Sequence, residues 1–573
     1  MYGRYVCVLL AALLLVMSHA PTPTEASLNG GVPCVVCTML AQMVRVKLES
    51  ENSTVVETLQ EICRVTPAPV QPVCRQFVDK NGAAIEKAFL DYVSPDLICQ
   101  SLGKCTNPGV CQLFPSVKPT KDVPLSRNEL DLSMFFGHPA DALLNVAELS
   151  SKNIVNWIVT RFGTDHLPLD DLDNDYFSPL WEPLRGRSWR GRDCNDFDHL
   201  VYPGTKPSNG DKEFDSNCNG IVGIDSTTKK SYEELYCSPF DQRGVAILGD
   251  SVGAHFAFPA TWYFPAPGVY DNSLYVLANE VDFPYASWIT GYRNDTTGQL
   301  DPYEGLIHPL SSVYMKLVER NRCNHRDFQN LAVNGADSGL SVNNLHALGR
   351  HQDRDQPMLF FHALIGDDIC DHRSVEGWTP VNKFYQSVMT NLEYLNTTLP
   401  AGSAVVFIGI IDGRVIWDTL HTKDYPWTGQ QPGGKFLGTN YPDFWTFMNC
   451  LDISPCWGWL NTNATIRGEA TAHANQLNQV LRDIVSNTTF SNFKMTYYDF
   501  PMEAMFSHWK TTTGRPVLEL FEPFLGMHTT QGAVASLAEV LWGKLEKDHP
   551  EFLGAVNPNN DKIKQIFGDQ GGY

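Results

Sequence analysis

Residues 245–256 read VAILGDSVGAHF. An apolar run of strand length meets Gly249-Asp250-Ser251 and then turns to small residues. The stretch is either a buried strand that lifts Ser251 to the edge of a sheet or a strand ending in an ordinary glycine turn. Gly-Asp-Ser does not choose between them, so the choice rests on the chain that follows. From Arg243 onward, strand-like runs alternate with helical ones: VAILGDS, DFQNLAVNGADSG, PMLFFHALIGDD, AVVFIGIIDG, FKMTYYDF and PVLELFE. This alternation predicts an α/β domain over 240–573, a parallel sheet with helices on both faces and catalytic groups at the carboxyl ends of the strands.

The 573 residues are too many for one ordinary core, and 43% hydrophobic with 19% charged residues is a globular composition. The first twenty residues, MYGRYVCVLLAALLLVMSHA, place Arg4 before an apolar stretch too short to span a bilayer, then Ser18-His19-Ala20. They read as a signal peptide, with 21–30 as a short propeptide, and predict a secreted or vesicular protein without a transmembrane segment. Sequons at Asn52, Asn294, Asn396, Asn463 and Asn487 fit glycosylation in that compartment, and fourteen cysteines remain after Cys7. The net charge of −21 argues against nucleic acid; a polyanionic partner requires local bases, bridging cations or an acidic compartment.

Residues 31–112 carry Cys34, Cys37, Cys63, Cys74, Cys99 and Cys105 around two amphipathic stretches and a short helix start at Ser94-Pro95-Asp96. Spacing alone leaves many pairings open. Six cysteines framing helices in this order resemble the saposin B-type fold, an all-α lipid-binding module. That resemblance implies Cys34–Cys105, Cys37–Cys99 and Cys63–Cys74. Residues 113–165 form a proline-bearing connector.

Residues 166–230 are dense in carboxylates. DLDNDYFSPLWE puts Asp171, Asp173 and Asp175 at positions 1, 3 and 5 of a loop and Glu182 at position 12, with Tyr176 where an EF-hand loop has glycine. Two further clusters hold Asp193, Asn195, Asp196 and Asp198, and Asp215, Asn217, Asn219 and Asp225. Oxygen ligands alternating along a curled loop suit calcium, whereas solvated acidic turns are the ordinary fate of such runs. Between them RGRSWRGRD offers Arg185, Arg187, Arg190 and Arg192, to neutralise the carboxylates rather than to meet substrate phosphates.

In the last domain, Gly-Asp-Ser, NGADSG, IGDD and a late His528 fall in the block order of the GDSL or SGNH hydrolases, whose sheet is flavodoxin-like. The resemblance implies Ser251 as nucleophile, His528 as base and the N–H groups of Ser251 and Gly339 as oxyanion donors. A serine hydroxyl needs an imidazole to take its proton, and the oxyanion needs preorganised donors. Two positions depart from the family: Asp367 stands where it has asparagine, and Leu525 where it has the acid that orients the histidine. Glu522 or a backbone carbonyl is the candidate substitute.

Across its length, through WRGRDCND, DSNCNGI, RNRCNHRDFQN and CLDISPCWGW, the chain resembles the acyloxyacyl hydrolase family. That implies a lipase removing secondary acyl chains from lipid A of lipopolysaccharide. It also implies calcium, and precursor cleavage in the connector into two chains held by a disulfide from Cys111. The mate of Cys111 is left open among seven later cysteines. Two other readings stand beside this one: a secreted phospholipase or general lipid esterase, and a lipopolysaccharide-binding protein whose site has decayed at Leu525 and Asp367.

Overall fold

The computed structural model describes residues 28–51, 53–64, 71–92, 94–105, 111–114, 167–168, 170–180, 186–258, 279, 281–292, 310–370, 374–425 and 439–572. The signal peptide, residues 115–166 of the connector region, Asn52, Glu182, Arg185 and Asn294 lie outside them.

Five parallel strands form one sheet: β1 (Gly244–Gly249), β2 (Phe328–Asn330), β3 (Met358–Ala363), β4 (Ser403–Ile408) and β5 (Phe493–Tyr498), in the order β2-β1-β3-β4-β5. The three central strands, GVAILG, MLFFHA and SAVVFI, are buried at every position, so they need near-continuous apolar runs. FKMTYY of β5 is only partly buried and alternates, as an edge strand does. With right-handed crossovers, the helix between β1 and β2 belongs on one face and those after β2, β3 and β4 on the other. Two helix groups form accordingly. Val313–Arg320 packs with Gln531–Asp548 and Met502–Thr513, whereas Ser338–Asn344 packs on Val381–Thr398 and that on Ala464–Asn487. The sixth strand-like run, PVLELFE, is instead a 3-10 turn over Val517–Leu520, because it lies beyond the sheet edge with Pro516 at its start.

The N-terminal module consists of α1 (Gly31–Glu51), α2 (Val55–Arg64), α3 (Gln71–Asp91) and α4 (Pro95–Ser101). Its cysteines pair as the resemblance implied. Buried Asp96 accepts the N–H groups of Leu113 (3.0 Å) and Phe114 (2.8 Å), which turns the departing chain back onto the module. Cys111 bonds Cys450, the last residue of the helix Tyr441–Cys450, and Asn29 Nδ2 donates to the Cys450 carbonyl at 2.9 Å. Apolar packing runs without a break from this module into the sheet domain. Cys194–Cys218, Cys237–Cys323 and Cys370–Cys456 complete seven disulfides, a number suited to an oxidising compartment. Among the described residues no helix is long and apolar enough to cross a membrane.

The acidic segment closes the open edge of the sheet. Arg190 bridges Gln329 in antiparallel sense, Gly191 N–H donates to Phe328 O (3.0 Å), and Asn330 N–H donates to Trp189 O (2.7 Å). Three-residue β2 is thereby covered on the side where its backbone would otherwise stand unpaired.

Candidate active site

The opening stretch is a strand, Gly244–Gly249, followed by a four-residue helix, Ser251–Ala254. Its small residues are set by close approach: a Cβ at Gly249 would stand 2.7 Å from the Ala363 carbonyl, and one at Gly253 would stand 2.9 Å from the Ala332 side chain. The helix ends at once because His255 adopts a left-handed conformation, φ 56°. Ser251 is thus delivered at the carboxyl end of β1, and its Oγ lies 3.1 Å from His528 Nε2. Both side chains are buried.

Ser251 is anchored by the neighbouring Asp250. One carboxylate oxygen accepts Val252 N–H at 3.0 Å, capping the short helix. The other accepts the N–H groups of Ile365 and Gly366, binding β1 to the chain leaving β3. Burial pushes this carboxyl above the usual carboxylate range, the three N–H donors pull it down, and Asp368 adds to the rise. Asp368 accepts Ser338 N–H (3.1 Å) and Oγ (2.7 Å), and burial raises it to about 6. Asn330 holds the Gly253 carbonyl at 3.0 Å and Thr290 Oγ1 at 2.9 Å. Trp189 packs on Ala254 and Ala332, with Nε1 on Asn279 Oδ1 at 3.0 Å. Asp250 and Asp368 were both visible inside the quoted Gly-Asp-Ser and Gly-Asp-Asp; Trp189 and Asn330 fell inside quoted stretches, but nothing in the sequence gave them a place at the site.

His528 has different surroundings. The Phe256 ring lies 4.5 Å from its imidazole, Phe258 packs on Phe256 at 5.4 Å, and Phe524 on Phe258 at 4.6 Å. Burial pushes the imidazole down to about 3, with nearby His255 adding to the fall. The ring is therefore neutral at physiological pH. Its Nδ1 makes no hydrogen bond, so Glu522 is not an orienting acid there. Glu522 instead accepts the N–H groups of Phe524 (2.6 Å) and Leu525 (2.9 Å), while its own N–H donates to His528 O at 2.8 Å. Tyr441 and Trp445 donate to the carbonyls of Pro523 (2.8 Å) and Leu525 (2.9 Å). The helix that carries Cys450, and through it the N-terminal module, thus also braces the loop that presents the base.

Leu331 N–H donates to Ile247 O and Val333 N–H to Gly249 O, which keeps the chain leaving β2 beside the end of β1. Gly335 has φ +77° with open space around its Cα, whereas Gly339 is the exposed second residue of the helix Ser338–Asn344. Asp367 is half-buried and opens the helix Asp367–Cys370, which the Cys370–Cys456 bond holds.

In the acidic segment, Asp171, Asp173 and Asp196 bring carboxylate oxygens within 4.8 Å of one another, as do Asp173, Asp175 and Asp193. Asp171 accepts the N–H groups of Asn174, Asp175 and Tyr176. Asp215 accepts those of Asn219 and Gly220 in the same pattern. Tyr176 takes the glycine-like φ of 78°, matching Gly220 at the same place in the other loop. Both oxygens of Asp173 and one each of Asp175 and Asp193 are buried without a hydrogen-bond partner. Burial raises Asp175 to about 8 and Asp193 to about 6. Clustered, desolvated carboxylates with orphaned oxygens fit a hard divalent cation. Asp198 and Asp225 cap turns, at Leu200 and at Thr227–Thr228. Asn195 donates its N–H to Asp193. Asn217 and Asn219 donate to Glu233, a fully buried carboxylate the spacing had not marked, raised to about 7 by burial. Arg187 pairs with Asp170, while Arg190 and Arg192 donate to backbone carbonyls. The basic run is internal bracing.

A parallel sheet of the SGNH type with a Ser–His pair at its carboxyl edge, joined to a saposin-like module, defines a lipid-modifying hydrolase. Comparison with known proteins narrows this. The chain is 34% identical to acyloxyacyl hydrolase of Homo sapiens over 581 residues, 98% of each chain, and 34% identical to that of Mus musculus over 579. A 76-residue stretch, 13% of the chain, is 29% identical to saposin-C of Cavia porcellus, covering 94% of it. No family model matches the chain. The chain belongs to the acyloxyacyl hydrolase family.

Proposed function

We propose that this protein hydrolyses the secondary, acyloxyacyl-linked fatty acyl esters of lipid A in bacterial lipopolysaccharide by a serine acyl-enzyme mechanism. The observation that carries the reading is the 3.1 Å Ser251–His528 pair on a body covalently joined to a saposin-like module. Neutral His528 takes the Ser251 proton as Oγ attacks the ester carbonyl carbon. The N–H groups of Ser251 and of Gly339, in the first turn of the helix Ser338–Asn344, receive the oxyanion. The C–O bond to the hydroxyacyl lipid breaks as His528 returns the proton to the leaving oxygen. Water, deprotonated by His528, then attacks the acyl-serine; the fatty acid leaves and Ser251 regains its proton.

Calcium would be held by Asp171, Asp173, Asp175, Asp193 and Asp196, with a second loop at Asp215. It would neutralise a crowded set of carboxylates and stiffen the segment that closes the β2 edge. Cleavage within the connector would leave two chains joined by Cys111–Cys450, in a secreted or vesicular protein.

The test compares wild type with Ser251→Ala on lipopolysaccharide labelled in its acyl chains. Release of secondary chains alone by wild type, and none by the variant, is the expected result. Cleavage of glycerophospholipid with lipopolysaccharide untouched would make it a general lipid esterase. Binding without release by either protein, at acidic and neutral pH, would leave only a lipopolysaccharide-binding protein.

A further inference from the structure

Half of the exposed large apolar side chains lie in the acidic segment: of fourteen among the described residues, seven fall between Leu172 and Ile224. Of these seven the most exposed are Phe197 (85%) and Leu172 (67%); outside the segment only Leu90 of α3 lies in that range (72%). They are neighbours, since Leu172 N–H donates at 2.9 Å to Oδ1 of Asp196, the residue before Phe197. Between them Asp171, Asp173 and Asp196 converge. Leu200 follows in the same loop, and Cys194–Cys218 ties it to the loop where exposed Phe214 precedes Asp215. Beneath the tips, Asp175 and Asp193, each more than nine-tenths buried, hold an oxygen with no partner.

Apolar tips set among carboxylates do not make a dry protein interface, whose centre is depleted of charge and contiguous over hundreds of square ångströms. They suit a lipid surface, where each tip inserts alone and the carboxylates meet headgroups. A chain of net charge −21 repels anionic headgroups unless a cation intervenes. A hard cation taking six to eight oxygens has room for phosphate oxygens beside three carboxylates.

Resting on the lipid-hydrolase reading above, we propose that the acidic segment is a cation-dependent clamp for phosphate-bearing lipid surfaces: Leu172 and Phe197 insert beside a divalent ion held by Asp171, Asp173 and Asp196, which bridges to lipid phosphate. The segment is the outer layer along β2, so a docked surface lies along the strand whose carboxyl end carries the Gly335 loop.

The test is flotation of the full chain with vesicles of phosphatidylcholine containing phosphatidylglycerol, with calcium or with chelator, beside turnover of a soluble short-chain ester and thermal unfolding. Wild type should bind with calcium and lose binding with chelator. Phe197→Ser and Leu172→Ser should each weaken binding roughly ten- to a hundredfold, the worth of one inserted apolar side chain. Ester turnover and unfolding should be unchanged. Phe197→Leu should retain binding. Binding indifferent to chelator, or unchanged in both serine variants while Leu90→Ser on exposed α3 abolishes it, overturns the proposal. Loss of self-association in the serine variants with vesicle binding intact overturns it too, marking a protein interface. Failure of lipopolysaccharide hydrolysis with vesicle binding as expected would sink the lipase reading and leave the clamp standing.

Discussion

Ser251 and His528, the proposed nucleophile and base, are held in opposite ways. Ser251 follows a carboxylate that binds three N–H groups and sits on a helix propped by Asn330 and Trp189. His528 sits against Phe256 in an apolar layer, and only the backbone of its loop is pinned. Polar anchoring determines where Ser251 stands; apolar burial keeps His528 unprotonated. Burial keeps the free imidazole unprotonated, with its lone pair available to Ser251, but it also opposes the imidazolium that forms when the proton is taken; the loop, not a side chain, sets the ring.

The largest expected effect breaks the pair itself. Ser251→Ala should lower fatty-acid release by about 10⁴-fold or more while thermal unfolding is unchanged, because the hydroxyl is not part of the anchor. Next comes the anchor. Asp250→Ala leaves the buried N–H of Ile365 and the part-buried N–H groups of Val252 and Gly366 without an acceptor, at roughly 1–3 kcal/mol for a buried group and less for the others. Chemical denaturation should show a loss of several kcal/mol, and turnover of a soluble ester should fall about a hundredfold. If stability falls and turnover does not, Asp250 is structural only.

The base side is probed by Phe256→Ala. Opening the layer to water should move the His528 imidazole up from about 3 toward the ordinary histidine value. The acid limb of kcat/KM should then appear at higher pH, with little loss at neutral pH. An unshifted limb would contradict apolar burial as the control.

A pH profile separates the two supports in the wild type. His528 remains neutral through the mildly acidic range, so a fall in kcat/KM there belongs to buried carboxyls taking up protons, Asp250 and its neighbour Asp368 at the site among them. Asp250→Asn should give a lower profile with a shallower fall over that range. For stability the sign is reversed: a raised carboxyl contributes fully below its unfolded value near 3.8, and that contribution is lost as pH rises through the folded value. The smallest effect is expected at Asp367→Asn, which replaces a half-buried acid at the mouth by the donor the wider family uses. A few-fold gain in kcat at neutral pH, with KM unchanged, would place the side chain at the oxyanion; no change would turn it away.

The alternation of runs after Arg243 was enough to read the sheet: the three central strands, buried on both faces, are continuously apolar, and β5 shows as the mixed run of an edge strand. β2 was legible only as part of a longer run, being three residues long and completed by a backbone partner 140 residues earlier. PVLELFE misled because apolar content cannot tell a strand from a turn packed beyond the sheet edge. At the site, Ser251 and His528 could be named from motif order, and the first six cysteines from their spacing and the saposin resemblance.

Local sequence therefore determined the elements, the module order and the chemistry of the two reacting side chains, since periodicity and motif are properties of neighbouring residues. Tertiary structure decided the rest. It chose Cys450 for Cys111, gave Glu522 to the loop backbone rather than to His528, and laid Trp189 of the acidic segment under Ala254. Each of these depends on which distant surfaces meet, and burial against those surfaces, not residue type, sets whether a carboxylate braces, binds a cation or orients a base.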